Sequence, residues 1–214
     1  MINSGTPWTV PAGKVTVSVD GRDTVPAMQD KLGTFDIKLD GKDVRLTRAD
    51  ATTPAYGALV TRYTAQSADV RAFSDGEISI EKKLNVQNAD GSWRAFDAAT
   101  DTLRVGQKVR TLLTVKTDRP MSRVIVTDQR AATLIPVIQL SGWIYGEGIM
   151  AYYENRTAAT NLYLEYVPKG TYQMQYDFTV NNAGTFNSGV AEATCQQAPT
   201  LTAHSSGCLL RVVR

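Results

Sequence analysis

The chain has 214 residues, enough to bury a sizeable core as one large or two small domains, with 43% apolar residues and a formal net charge of +2. Basic and acidic residues are interspersed, as in RVGQKVRTLLTVKTDR, which argues against the basic face of a nucleic-acid binder. No run approaches the roughly eighteen apolar residues of a membrane helix, and MINSGTPWTVPAGK lacks the basic and apolar regions of an export signal, so a cytoplasmic protein or a piece of a longer exported one is expected.

In chain order, KVTVSVD alternates apolar and polar residues, which puts Val15, Val17 and Val19 on one face of a strand. TVPAMQDKLG fits a short helix, with Thr24 as cap, Pro26 just inside and Gly33 as a stop; a turn fits it equally well. TFDIKLD predicts a strand with Phe35, Ile37 and Leu39 aligned, leaving Asp36 and Asp40 as solubilising charges on its exposed face. The polar stretch AQSADVRAFSDGE predicts a boundary, dividing the chain into residues 1–72 and 73–214. The first part is small for an independent core and is expected to pack against other material. Beyond the boundary VRTLLTV, NLYLEYV and TYQMQYDFTV read as strands, the last with Tyr172, Met174, Tyr176, Phe178 and Val180 on one side. Turn signals VDGRD, LDGKD, NADGS and NNAGT separate such runs. The fold class is all-β, an antiparallel sandwich preceded by a smaller β-rich region, with at most one or two short helices.

Cys195, His204 and Cys208, both cysteines and the only histidine, lie within fourteen positions of one another. A cysteine nucleophile needs a base, and His204 is the only histidine to serve, but it sits in a hydroxyl-rich loop, TLTAHSSG. Zinc-ligand spacing is missing. A Cys195–Cys208 disulfide requires the flanking strands to face each other; buried free thiols are the alternative. No nucleophile elbow, P-loop or dinucleotide fingerprint occurs, and YGEGIM has no phosphate-binding context. NRT at Asn155 matches a glycosylation triplet that arises often by chance. SGWIYGEGIMAYYENRT gathers Trp143, Tyr145, Tyr152 and Tyr153, either as a contact patch for protein or sugar or as a plug at the end of the sandwich.

Several segments resemble the carboxyl-terminal region of bacterial alpha-2-macroglobulins, particularly those of the Bacteroidetes type. They are LRVGQKVRTLLTVKTDRPMSRVIVTDQRAATLIPV, the Gly-aromatic stretch running to the PKGTY turn, and NNAGTFNSGVAEATCQQAPTLTAHSSG, with TVSVDG and TPAYGALVTRYTA before them. The resemblance implies a macroglobulin-type β-sandwich over 73–214. Residues 1–72 would be the second half of a split domain that follows the thioester domain. It further implies a non-catalytic part of a periplasmic or cell-envelope protease inhibitor. Its partners would be the other domains of the parent chain and, indirectly, target proteases, with no cofactor, metal, nucleic acid or membrane span. The alternative is a freestanding cell-surface module that binds protein or sugar through the Gly-aromatic loop. The family's thioester joins a Cys to a Gln three positions on, whereas CQQA places Ala198 there, so Cys195 is expected to be structural. Relatives often carry a tyrosine just before the A-P pair; here Gln196 and Gln197 stand instead and are candidate contact residues.

Overall fold

The computed structural model describes residues 15–27, 35–49, 60 and 64–214, and the chain divides into two compact units, residues 1–62 and 63–214. In the first, β1 (Val15–Val19) runs between β2 (Arg22–Thr24) and β3 (Val44–Arg48), antiparallel to both. Asp20 and Gly21 turn β1 into β2 with φ of 48° and 79°, values that suit a tight hairpin. The Asp20 carboxylate accepts hydrogen bonds from the Lys42 and Asp43 backbone N–H groups, at 3.1 and 2.9 Å. Residues 35–40 form no strand, contrary to the pattern of TFDIKLD. Alternation prepares a strand but cannot supply a ladder, and β1 already has a neighbour on each edge. Of the helix expected over TVPAMQDKLG, Thr24 instead ends β2, residues 25–27 are irregular, and 28–33 lie outside the described residues.

The second unit is a sandwich. After a 3-10 turn at Ser67–Asp69 come β4 (Phe73–Ser74), β5 (Ile78–Gln87), β6 (Trp93–Ala95), β7 (Leu103–Arg104), β8 (Lys108–Thr117), β9 (Met121–Gln129) and β10 (Leu134–Pro136). Then follow β11 (Gly142–Tyr145), β12 (Met150–Asn155), β13 (Ala159–Val167), β14 (Gly170–Val180), β15 (Gly184–Asn187), β16 (Ala191–Cys195), β17 (Thr202–His204) and β18 (Leu209–Val213). One sheet has the order β10-β14-β8-β5-β6 and the other β11-β12-β13-β9-β16-β17-β4. A small third sheet, β15-β18-β7, contains the parallel pair β18–β7; the remaining strand pairs are antiparallel.

Alternation builds the core between the two large sheets. Ile78, Ile80, Leu84 and Val86 of β5 point inward with Met174, Tyr176, Phe178 and Val180 of β14, and Val124, Val126, Leu162 and Leu164 lie buried opposite. Tyr172 is half-buried at the margin. The same period puts one lysine inside: Lys82 occupies the inward position between Ile80 and Leu84. Its side chain is 5% exposed and pairs at 2.7 Å with Oδ1 of Asp128, a β9 carboxylate that is 0% exposed. The ammonium also donates to the Gln129 and Ser188 carbonyls at 2.6 and 3.0 Å. From the sheet of β5, Tyr176 donates its phenol proton to Asp128 Oδ2 at 2.6 Å. Burial, reinforced by the adjacent carboxylate, pushes the Tyr176 phenol well above its ordinary value.

Two outcomes follow from this network. Asp128→Ala would leave a buried ammonium without its anion and should cost about 3–5 kcal/mol in urea unfolding; an unchanged midpoint would refute the pairing. A phenol raised in the folded state contributes stability in full below the unfolded value of about 10 and loses it as pH climbs through the higher folded value. Tyr176→Phe should therefore flatten the alkaline fall in melting temperature.

Candidate contact face and the Cys–His cluster

The site begins at a sheet edge. β11 pairs with β12 so that Trp143 opposes Tyr152, and β12 pairs with β13 so that Tyr152 opposes Tyr163. All three rings therefore line one row on the outer face of the seven-stranded sheet. Trp143 meets Tyr152 edge-on at 5.5 Å, and Tyr152 lies 6.5 Å from Tyr163. Trp143 is 58% exposed, Tyr145 81% and Tyr152 37%, so these apolar rings face solvent. Tyr153, grouped with them in the sequence, does not join them. One step of alternation turns it inward, 1% exposed, where it donates to the Ile138 carbonyl at 3.0 Å and packs edge-on to Tyr176 at 5.7 Å. The aromatic cluster thus splits into an exposed row and a plug.

Two parts of this face were missed by motif reading. Tyr163 donates to Glu154 Oε2 at 2.7 Å, Asn161 donates to the same oxygen at 3.1 Å, and Arg156 pairs with Oε1 at 2.7 Å. The Tyr163 and Asn161 hydrogen bonds, with Arg156, hold the Glu154 carboxyl below its usual range. The segment entering β11 also exposes Val137, Ile138 and Leu140. Their signal was the apolar run LIPVIQL, which neither alternates nor carries a charge. The outer face of the other large sheet is polar by contrast. There Arg110 makes paired hydrogen bonds to Asp177 at 2.7 and 2.9 Å and lies 4.1 Å over the Trp93 ring.

YGEGIM, the β11–β12 turn, crosses to the opposite sheet, where the Glu147 N–H donates to the Gln173 carbonyl at 2.8 Å. A Cβ at Gly146 would stand 2.2 Å from that carbonyl oxygen, so the glycine serves close backbone approach.

The Cys–His cluster is divided by the same alternation. Cys195 ends β16 on the buried side, with Sγ 3.5 Å from the Ser122 carbonyl. His204 lies on β17 opposite Glu192, on the outer face, and stacks on Phe73 at 5.8 Å. Thiol and imidazole therefore face different sides of one sheet and cannot exchange a proton. The disulfide considered above is also corrected, because both cysteines are free thiols. Cys208 exchanges backbone and hydroxyl hydrogen bonds with Ser188, ahead of β16, whereas Cys195 closes that strand. At about 3.3 Å per residue the four steps from Ala191 to Cys195 alone span about 13 Å, beyond the roughly 7 Å limit for bridged Cα atoms. Gln196 and Gln197 are exposed in the turn that follows, where the Gln196 N–H donates to the Arg123 carbonyl at 2.9 Å. The strand registers place this turn at the same sheet end as Tyr145 and Met150, with β9 and β13 between. Among the described residues no group of three His, Cys, Asp or Glu could hold a metal.

Residues 78–200, from β5 to the turn after β16, match the family described as the bacterial alpha-2-macroglobulin MG10 domain. The chain belongs to the bacterial alpha-2-macroglobulin family. Solved members share the fold. Salmonella alpha-2-macroglobulin reacted with methylamine superposes with a TM-score of 0.54 at 17% identity, covering 95% of this chain and 13% of that one. Escherichia coli alpha-2-macroglobulin spanning domain MG7 to the C-terminus gives 0.54 at 14% identity, with 95% and 33% covered. The E. coli protein activated by porcine elastase gives 0.55 at 14% identity, with 95% and 19% covered. This macroglobulin chain therefore spans a third or less of the solved relatives it matches. No curated protein matches it significantly in sequence.

The split of the aromatic cluster is measurable. Tyr153→Ala should destabilise this macroglobulin domain by about 3–5 kcal/mol, whereas Trp143→Ala should stay within about 0.5 kcal/mol; equal effects in thermal unfolding would contradict it. Without reductant, denatured protein should titrate two thiols, while in native protein half-buried Cys208 reacts and buried Cys195 is protected.

Proposed function

We propose that this chain is a non-catalytic part of an exported, protease-trapping alpha-2-macroglobulin of the periplasm or cell envelope. Its sandwich packs against a thioester domain and shields it. In this reading residues 73–214 are the carboxyl-terminal macroglobulin domain and residues 1–72 the second half of the split domain that follows the thioester domain. Kinship to the Bacteroidetes branch rests on the order of motifs alone. The carrying observation is the contrast between the two outer faces: one is charged and solvated, while the other exposes Trp143, Tyr145 and Tyr152, a composition that favours cover by a partner. The partners are then the parent's own domains, and proteases are met only through them. Gln196 and Gln197 stand in place of the tyrosine common in relatives, so the contact made by that turn is polar here.

A second reading is a freestanding surface module that contacts protein or sugar through the same rings. Trp143, more than half exposed at the edge, supports it. Immunoblotting of the source cells separates the two. A native species far above 23.3 kDa is expected for a part of a multidomain inhibitor, and a band at 23.3 kDa would overturn that reading in favour of the module.

A further inference from the structure

Lys82 and Asp128 are buried, opposed across the sandwich and in contact, and no function considered so far uses either. Two carbonyls, of Gln129 and Ser188, take two of the N–H groups of Nζ. The third valence of the nitrogen is left toward Asp128, with Oδ1 at 2.7 Å. That contact is not aligned as a hydrogen bond. The other carboxyl oxygen is held by the Tyr176 hydroxyl at 2.6 Å. Arg130, the neighbouring cation, spends its guanidinium on the carbonyls of Arg156, Thr157 and Ala159. An amine fixed beside a carboxyl, with a proton donor on the carboxyl's far oxygen, is the arrangement for amide formation.

We infer that Lys82 and Asp128 form an intramolecular isopeptide cross-link that joins β5 to β9 through the core. A proton passes from the ammonium to Oδ1, a transfer made easier where a separated charge pair is poorly solvated. The Nζ lone pair attacks Cγ, and the Tyr176 O–H stabilises the charge that builds on Oδ2. The Nζ–Cγ bond forms and the Cγ–Oδ1 bond breaks. Oδ1 leaves as water with two of the three ammonium protons, and the third remains on the new amide. No oxidant or co-reactant is required. A cleft of about 250 Å³, lined by Lys82, Leu84, Ser188 and Cys208 among others, gives the water a way out. Tyr176 is the catalytic residue of this step, since it touches the reacting carboxyl.

The test is the intact mass of the purified full chain under denaturing conditions. Wild type should be lighter than its sequence by one water, and a tryptic digest should contain a branched peptide that joins the Lys82 and Asp128 segments. Lys82→Met and Asp128→Ala should each return to full sequence mass, and Tyr176→Phe should leave a large uncross-linked fraction. Succinimides at Asp20–Gly21, Asp40–Gly41, Asp75–Gly76 or Asp90–Gly91 also lose a water, but mild base restores it and does not open an amide. Full mass in wild type after prolonged incubation at neutral pH, with Lys82 and Asp128 in separate peptides, would overturn the inference. So would a deficit that mild base restores. The wild-type reading stands whether or not the variants fold.

Discussion

One buried lysine and one buried aspartate impose the constraint on which this sandwich depends. Apolar side chains tolerate many packings of similar volume, but Lys82 and Asp128 accept only an arrangement that brings each to the other. A one-residue slip of β5 would turn Lys82 to solvent and strand Asp128 in the core, a cost of several kcal/mol. The registers of β5, β9 and β14 are therefore set together, because Lys82, Asp128 and Tyr176 come from three strands in two sheets. The carbonyls of Gln129 and Ser188 add the segments just after β9 and just before β16 to the same set.

With the inner faces tied in this way, the outer faces are free to differ, and they do. The five-stranded sheet carries the Arg110–Asp177 pair and the Trp93 stack, which satisfy themselves and need no partner. The seven-stranded sheet carries a row of rings anchored through Tyr163 to Glu154, a carboxylate that Asn161 and Arg156 also hold. The second unit thus presents one largely polar outer face and one that exposes aromatic rings. The strap at Gly146–Gly148 holds the edge of the ringed sheet to its partner sheet, so Trp143 and Tyr145 are displayed on a braced strand.

The Cys–His cluster shows how closeness along a chain misleads in a β protein. Nine positions separate Cys195 from His204, yet the period of two sends one into the core and the other to the outer surface. Tyr152 and Tyr153 part for the same reason although they are adjacent. In both cases the residues are neighbours in sequence and belong to different environments.

Alternation by itself determined the long strands, the inward set of Tyr176, Phe178 and Val180 and the all-β class. Those features depend on local period and on turn chemistry, which the residues carry with them. Only the tertiary structure decided that TFDIKLD forms no strand, that Tyr153 plugs the core while Tyr152 faces out, that the cysteines stay apart, and that Lys82 meets Asp128. Each of these depends on which segment lies alongside or across. A strand needs a free edge, a face is inner only relative to another sheet, and a charge is tolerated in a core only when its counter-charge arrives from 46 residues further along the chain.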